Sequence, residues 1–139
     1  MNLVIGHDKE IAAWAGLQLG VTFQEPFVAV GVADDQGNIC GASVFNDFYK
    51  GGNVEFTHVG PGTLNRGIIR ELVRYCFKQL KVTRVTAKTK RSNKLVRTIL
   101  PRAGFVFEVT QKRYFGPSRG DDALVFVMTR ENAKRWMNE

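Results

Sequence analysis

Tyr75-Cys-Phe-Lys-Gln-Leu-Lys-Val-Thr-Arg-Val-Thr-Ala87 is where the periodicity of the chain changes, and that change decides the fold. Up to Leu80 the apolar residues Leu64, Ile68, Ile69, Leu72, Val73, Cys76, Phe77 and Leu80 fall on one broad helical face. From Val82 to Lys88 the residues are those of a strand, rich in β-branched side chains. The helix is entered through Val59-Gly-Pro-Gly-Thr-Leu-Asn-Arg-Gly67. Before that, Val54–Val59 alternates, with Val54 and Phe56 on one face and Glu55 and Thr57 on the other. A strand, a loop, a helix and a strand make a crossover unit. The strands Val54–Val59 and Val82–Lys88 are therefore expected to run parallel, joined by a right-handed connection. A glycine-bearing loop at a helix N-terminus also presents free N–H groups to a phosphate.

Outward from this unit the signals are those of hairpins and amphipathic helices. Asp8 is placed to cap a first helix, Lys9 to Leu19, whose stripe is Ile11, Ala12, Ala15 and Leu19, with Gly20 as its stop. Strands are expected at Phe27–Ala33 and Ile39–Phe45, joined by the turn Asp34-Asp-Gln-Gly37. A second helix runs from Asn93 to Ala103, with Pro101 disturbing its last turn. A strand follows from Phe105 to Val109, extending toward Phe115. The loop Gly116–Asp122, the strand Ala123–Thr129 and a helix Glu131–Met137 complete the chain. The hairpins imply antiparallel pairs around the central parallel one. The expected fold is thus an α/β arrangement with one mixed sheet and helices on both faces, in a single domain spanning 1–139.

The bulk numbers agree with this. A chain of 139 residues with 44% hydrophobic content is one globular unit with a real core. No apolar run approaches the roughly 20 residues of a membrane span, and with the polar His7-Asp8-Lys9-Glu10 no signal peptide is expected. Cys40 and Cys76 fall inside a strand and a helix, which reads as two reduced thiols in a cytoplasmic protein, with a disulfide left open. His7 and His58 are far apart and neither cysteine has metal-site spacing, so no metal centre is expected. Net charge is +7, and between Leu72 and Phe107 there are ten Lys or Arg and no Asp or Glu. Such a field attracts polyanions or phosphorylated cofactors, unless it is simply a solvated face. Gly60-x-Gly62 is too short for a dinucleotide fingerprint.

The phrase Tyr75–Ala87, the asparagine Asn93, the pair Gly104-Phe105 and the tail Asp122–Arg130 together resemble a Gcn5-related N-acetyltransferase, and within that superfamily the ribosomal-protein-type branch. The likeness covers Phe27 to Met128. It implies a sheet splayed open between the strands at Val54–Val59 and Val82–Lys88, with acetyl-CoA in the splay. Main-chain groups of Thr57, His58 and Val59 would pair with the pantetheine. The pyrophosphate would meet Gly62, Thr63, Leu64, Asn65, Arg66 and Gly67. The family pattern Arg/Gln-x-x-Gly-x-Gly/Ala falls on Gly60–Asn65, where Thr63 and Asn65 replace the small residues. A shifted register places Gly67 on one glycine and Ile69 on the other.

The likeness also assigns Asn93 to the cofactor, a role compatible with capping its own helix, in competition with Ser92. Arg97, with Lys90 and Arg91 beside it, is a candidate for the nucleotide 3′-phosphate. The tyrosine that many members carry seven residues after the asparagine is Leu100 here, so Tyr114 is the candidate acid. Glu55 is the candidate base, with His58 second because its pKa lies near neutrality. The implied activity is transfer of an acetyl group from acetyl-CoA to a primary amine of a small molecule or protein by direct attack. The alternative is a catalytically reduced module whose basic surface meets nucleic acid or a protein. A homodimer joined through the last strands is a further implication.

Overall fold

The computed structural model of the protein describes residues 1–138. Along the chain these residues form β1 (Asn2–Val4), α1 (Asp8–Leu19), β2 (Val28–Ala33), β3 (Ile39–Asn46), β4 (Asn53–Val59) and α2 (Arg66–Arg74). A π-helical segment (Tyr75–Gln79) continues α2. There follow β5 (Arg84–Lys90), α3 (Lys94–Ala103), β6 (Val106–Gln111), a short 3-10 turn (Arg119–Asp121), β7 (Ala123–Thr129) and α4 (Lys134–Met137). The strands make one sheet in the order β1-β2-β3-β4-β5-β7-β6. The pair β4–β5 is parallel and its neighbours are antiparallel, so the expected crossover is present.

Alternation along β4 divides the core in two. Val54 and Phe56 face α2, the π-segment, α3 and α4, where Leu72, Cys76, Phe77, Leu100 and Trp136 close a large apolar cluster. The opposite face of β2–β4 receives α1 through Ile11, Ala12 and Ala15, packed on Ala29, Ala42 and Val44. Small residues on that face let the helix approach. A Cβ on Gly31 would lie 2.7 Å from Ile11 Cδ1. No helix among the described residues is long and apolar enough to cross a membrane.

Several boundaries differ from expectation for identifiable reasons. Asp8 does not cap α1; it is the first residue of the helix, and its carboxylate accepts the Ala29 N–H at 3.0 Å, tying helix to sheet. Leu19, the last residue of the expected stripe, is exposed, so the buried stripe of α1 is shorter than its sequence suggests. Leu64 precedes α2, which starts at Arg66 behind Asn65. The last turn of the long helix is widened, with the Leu80 N–H reaching Tyr75 O, and it buries Cys76 and Phe77 together. β6 ends at Gln111, so Tyr114 lies on the following loop and not on a strand. The short strand β1, pairing Asn2 with Ala33, was not anticipated. Cys40 and Cys76 are both free thiols, and burial pushes that of Cys76 up to about 12.

Candidate active site at the divergence of two parallel strands

The parallel pair runs from Asn53↔Arg84 through Val54↔Val85 and Glu55↔Thr86 to Phe56↔Ala87, and stops there. Beyond it, Thr57, His58 and Val59 pair only with Val44, Ser43 and Ala42 of β3. Lys88, Thr89 and Lys90 pair only with β7. The two strands therefore part in the middle of the sheet. In an antiparallel ladder alternate residues turn their N–H and C=O away from the partner, so the Thr57–Val59 edge offers main-chain groups to the gap.

The loop that leaves β4 is clipped to the sheet by buried hydroxyls. Ser43 Oγ and His58 Nδ1 are 2.7 Å apart, His58 Nε2 and Thr63 Oγ1 are 2.7 Å apart, and the Thr63 hydroxyl donates to Gly60 O at 2.6 Å. A carbonyl only accepts, so the Thr63 proton lies toward Gly60. Thr63 Oγ1 then accepts from His58 Nε2–H, and Nδ1 accepts from Ser43. The loop presses directly on β3. At Gly60 (φ +121°) a Cβ would stand 2.5 Å from Cys40 O, and at Gly41 it would collide with the Thr63 side chain. His58 consequently does not serve as the free base expected of it, since both ring nitrogens are engaged. Burial lowers its pKa to about 4 and keeps the ring neutral. The Thr63 side chain is likewise turned inward, leaving its segment to act through backbone.

Past the clip, α2 opens toward the gap. Asn65 is its N-cap, accepting the Ile68 N–H at 2.9 Å, and the Asn65 carbonyl takes the Ile69 N–H. The N–H groups of Arg66 and Gly67 precede the first helical bonds, at the positive end of the helix, and no acidic residue stands in that first turn. Leu64, half-buried, turns onto the core and joins Ile69, Ile99, Leu100 and Phe105 around an apolar crevice between α2 and α3. Arg66 stacks over the Trp136 ring at 5.7 Å and is aimed at α4. Asn93 caps α3 by accepting the Val96 N–H at 3.2 Å, and Ser92 does not compete. Arg97 donates to Arg91 O at 2.8 Å, across the first turn of α3. Leu100 is 3% exposed and belongs to the core.

On the opposite face, one rung before the pairing ends, Glu55 Oε1 reaches diagonally to Lys88 Nζ at 3.2 Å, just beyond the last pair. Lys88 also stands 3.4 Å from the Tyr114 hydroxyl and 4.7 Å from its ring centroid. Burial works against the lysine charge, but the Glu55 carboxylate and Tyr114 outweigh it and hold the ammonium above the ordinary lysine value. The loop bearing Tyr114 is anchored by Asp122, which accepts both the Arg113 N–H (2.8 Å) and Arg113 Nη1 (2.9 Å). The Arg113 amide leads in holding that carboxyl below the usual range. Glu55 and Tyr114, chosen separately from the sequence, are thus joined by Lys88. Neither Lys88 nor Ser43 stood out in the sequence, because what marks each of them is a partner on another strand or loop.

Among the described residues no group of His, Cys, Asp and Glu could hold a metal ion. No protein-family model matches the sequence, and no curated protein matches it. Solved structures do. A mutant form of the spermidine/spermine N-acetyltransferase SpeG from Vibrio cholerae superposes with a TM-score of 0.73 at 15% identity, over 99% of this chain and 99% of that one. A chimera of that Vibrio cholerae enzyme with hSSAT gives 0.69 at 16%, over 99% of this chain and 100% of that one. A probable acetyltransferase gives 0.63 at 20%, over 76% and 62%. The sheet with its mid-strand divergence and the helices on both faces are the acyltransferase fold of the Gcn5-related enzymes.

Proposed function

We propose that the chain is an N-acetyltransferase that uses acetyl-CoA to acetylate a primary amine of a small molecule or protein. The observation that carries this reading is the end of β4–β5 pairing at Phe56↔Ala87, in front of an α2 N-terminus with free N–H groups. The residues present fit the cofactor. The gap has main-chain edges at Thr57–Val59, the helix end has no competing acid, and Gly67 adds no side chain at the turn where a pyrophosphate would lie. The segment Gly62–Gly67 would hold the phosphates through backbone. Asn93 shapes the start of α3, and Arg97, next to Arg91, adds positive charge there.

When bound, acetyl-CoA supplies a thioester carbonyl: the amine nitrogen bonds to that carbon, the carbon–sulfur bond breaks, the nitrogen gives up two protons from its ammonium form, and the thiolate gains one. Glu55 is the group at the divergence that accepts a proton from the acceptor amine. Tyr114, whose hydroxyl is 3.4 Å from Lys88 Nζ, is the candidate donor. No cysteine nucleophile is needed, and the raised pKa of Cys76 leaves it inert.

The narrower likeness to the ribosomal-protein-type branch rests on the Tyr75–Ala87 phrase. Two free thiols agree with a cytoplasmic setting. Exposed Val106, Phe107 and Val109 on the edge strand β6 suit a homodimer joined there.

A second reading, a fold that keeps its shape but has lost catalysis and meets nucleic acid or protein through the basic 72–107 block, is favoured by one observation. Leu100 fills the place of the usual acid and is buried. A thermal melt separates the two readings. Acetyl-CoA at 100 times its Kd raises stability by about 2.7 kcal/mol, whereas an unchanged melting temperature at millimolar acetyl-CoA supports the binding module.

A further inference from the structure

We infer that the acceptor is a zwitterionic amine, an α-amino carboxylate, and that Lys88 selects it. The inference rests on the acetyltransferase reading and names the substrate class of that site.

Glu55 is the carboxylate one rung before the strands part, and it is already neutralised by Lys88, the first residue of β5 past the last pair, at 3.2 Å. Both side chains are largely buried, at 21% and 22% exposed, so the pair is weakly screened. A polycationic acceptor would have to displace one ammonium with another while leaving Lys88 beside its remaining charges. A zwitterion faces no such conflict. Its ammonium meets Glu55, its carboxylate meets Lys88, and the two pairs close into a square of alternating sign, because the charges of an α-amino carboxylate are separated by a comparable distance.

Two further features point the same way. Asn46 lies directly across from Glu55 on β3, on the same face, and its buried Oδ1 has no hydrogen-bond partner. The rung therefore carries a polar amide beside the ion pair. Lys90, two residues along the same face of β5, stands over the Phe115 ring at 5.9 Å, next to Tyr114. The loop over the site thus faces two lysines, in a chain of net charge +7 that steers anions inward. The matched SpeG structures are named for spermidine; this rung is built for the opposite charge pattern.

The test is acetylation by the full-length protein, with acetyl-CoA, of the L-amino acids, of their carboxamides and of spermidine. At least one amino acid is expected to give a kcat/KM tenfold or more above its amide and above spermidine. In Lys88→Met that acid-to-amide ratio should fall to within about twofold of one, and in Lys88→Arg it should largely return. Should Lys88→Met fail to fold, the wild-type ratio alone decides. Turnover of spermidine or of amides at or above that of every amino acid overturns the proposal, as does a ratio unmoved by Lys88→Met. In those cases the acetyltransferase reading survives. Failure to bind acetyl-CoA in calorimetry overturns both.

Discussion

His58 Nε2 lies 2.7 Å from Thr63 Oγ1, and through this contact the end of β4 holds the loop that leads into α2. The histidine is a positioning residue. Its ring spans Ser43 and Thr63, both nearly inaccessible, and ties the loop before α2 to β3.

Thr63→Val keeps the shape of the side chain and removes both its hydrogen bonds, leaving His58 Nε2–H unpaired. The expected cost is about 1–3 kcal/mol of stability, read as a lower melting temperature. KM for acetyl-CoA should rise several-fold with a smaller change in kcat, while Thr63→Ser should restore both. A Thr63→Val protein with wild-type KM and wild-type stability would show that the clip does not position the loop.

The same histidine predicts acid sensitivity. Its pKa is about 4 in the folded chain against 6.5 when exposed, so the unfolded chain binds the extra proton between those values. Stability is complete above about pH 6.5 and falls as pH drops toward 4, by on the order of 3 kcal/mol at the lower end. Urea melts of wild type and His58→Gln at pH 7.5 and pH 5 should show a smaller pH-dependent loss in the variant. Equal losses would place the acid sensitivity elsewhere.

Glu55→Gln leaves the rung sterically intact and removes the proton acceptor. Turnover should fall by about 100-fold or more, against a few-fold for Tyr114→Phe, measured by thiol release from acetyl-CoA. Equal or reversed effects would remove Glu55 from its role.

Leu100 tests the core between α2 and α3. Leu100→Ala should cost about 2–5 kcal/mol, seen as a shifted midpoint in denaturant. A cost under ~1 kcal/mol would mean that the crevice beside Leu100 already collapses freely.

The central crossover was legible in sequence because its signals are local. The helical stripe ends at Leu80, β-branched residues begin at Val82, and a glycine loop stands at the other end of the helix. Asn93 was readable as a cap for the same reason, since its partner Val96 is three residues away. Where partners are distant, the reading failed. Asp8 looks like a cap and instead bonds to Ala29, 21 residues on. Ser43 and Lys88 carry no local mark, because their roles come from His58 across a strand pair and from Glu55 on the neighbouring parallel strand. His58 resembled a base because a titration near neutrality belongs to an exposed ring, and its burial depends on how the Gly60–Thr63 loop folds over β3.

Calorimetric titration of the purified protein with coenzyme A is the most direct test of the divergent strands as a cofactor site. Saturable one-to-one binding is expected, weakened by salt because phosphates are being held and weakened again by Thr63→Val. The absence of any binding heat at millimolar coenzyme A, in a protein that melts cooperatively, would contradict the account.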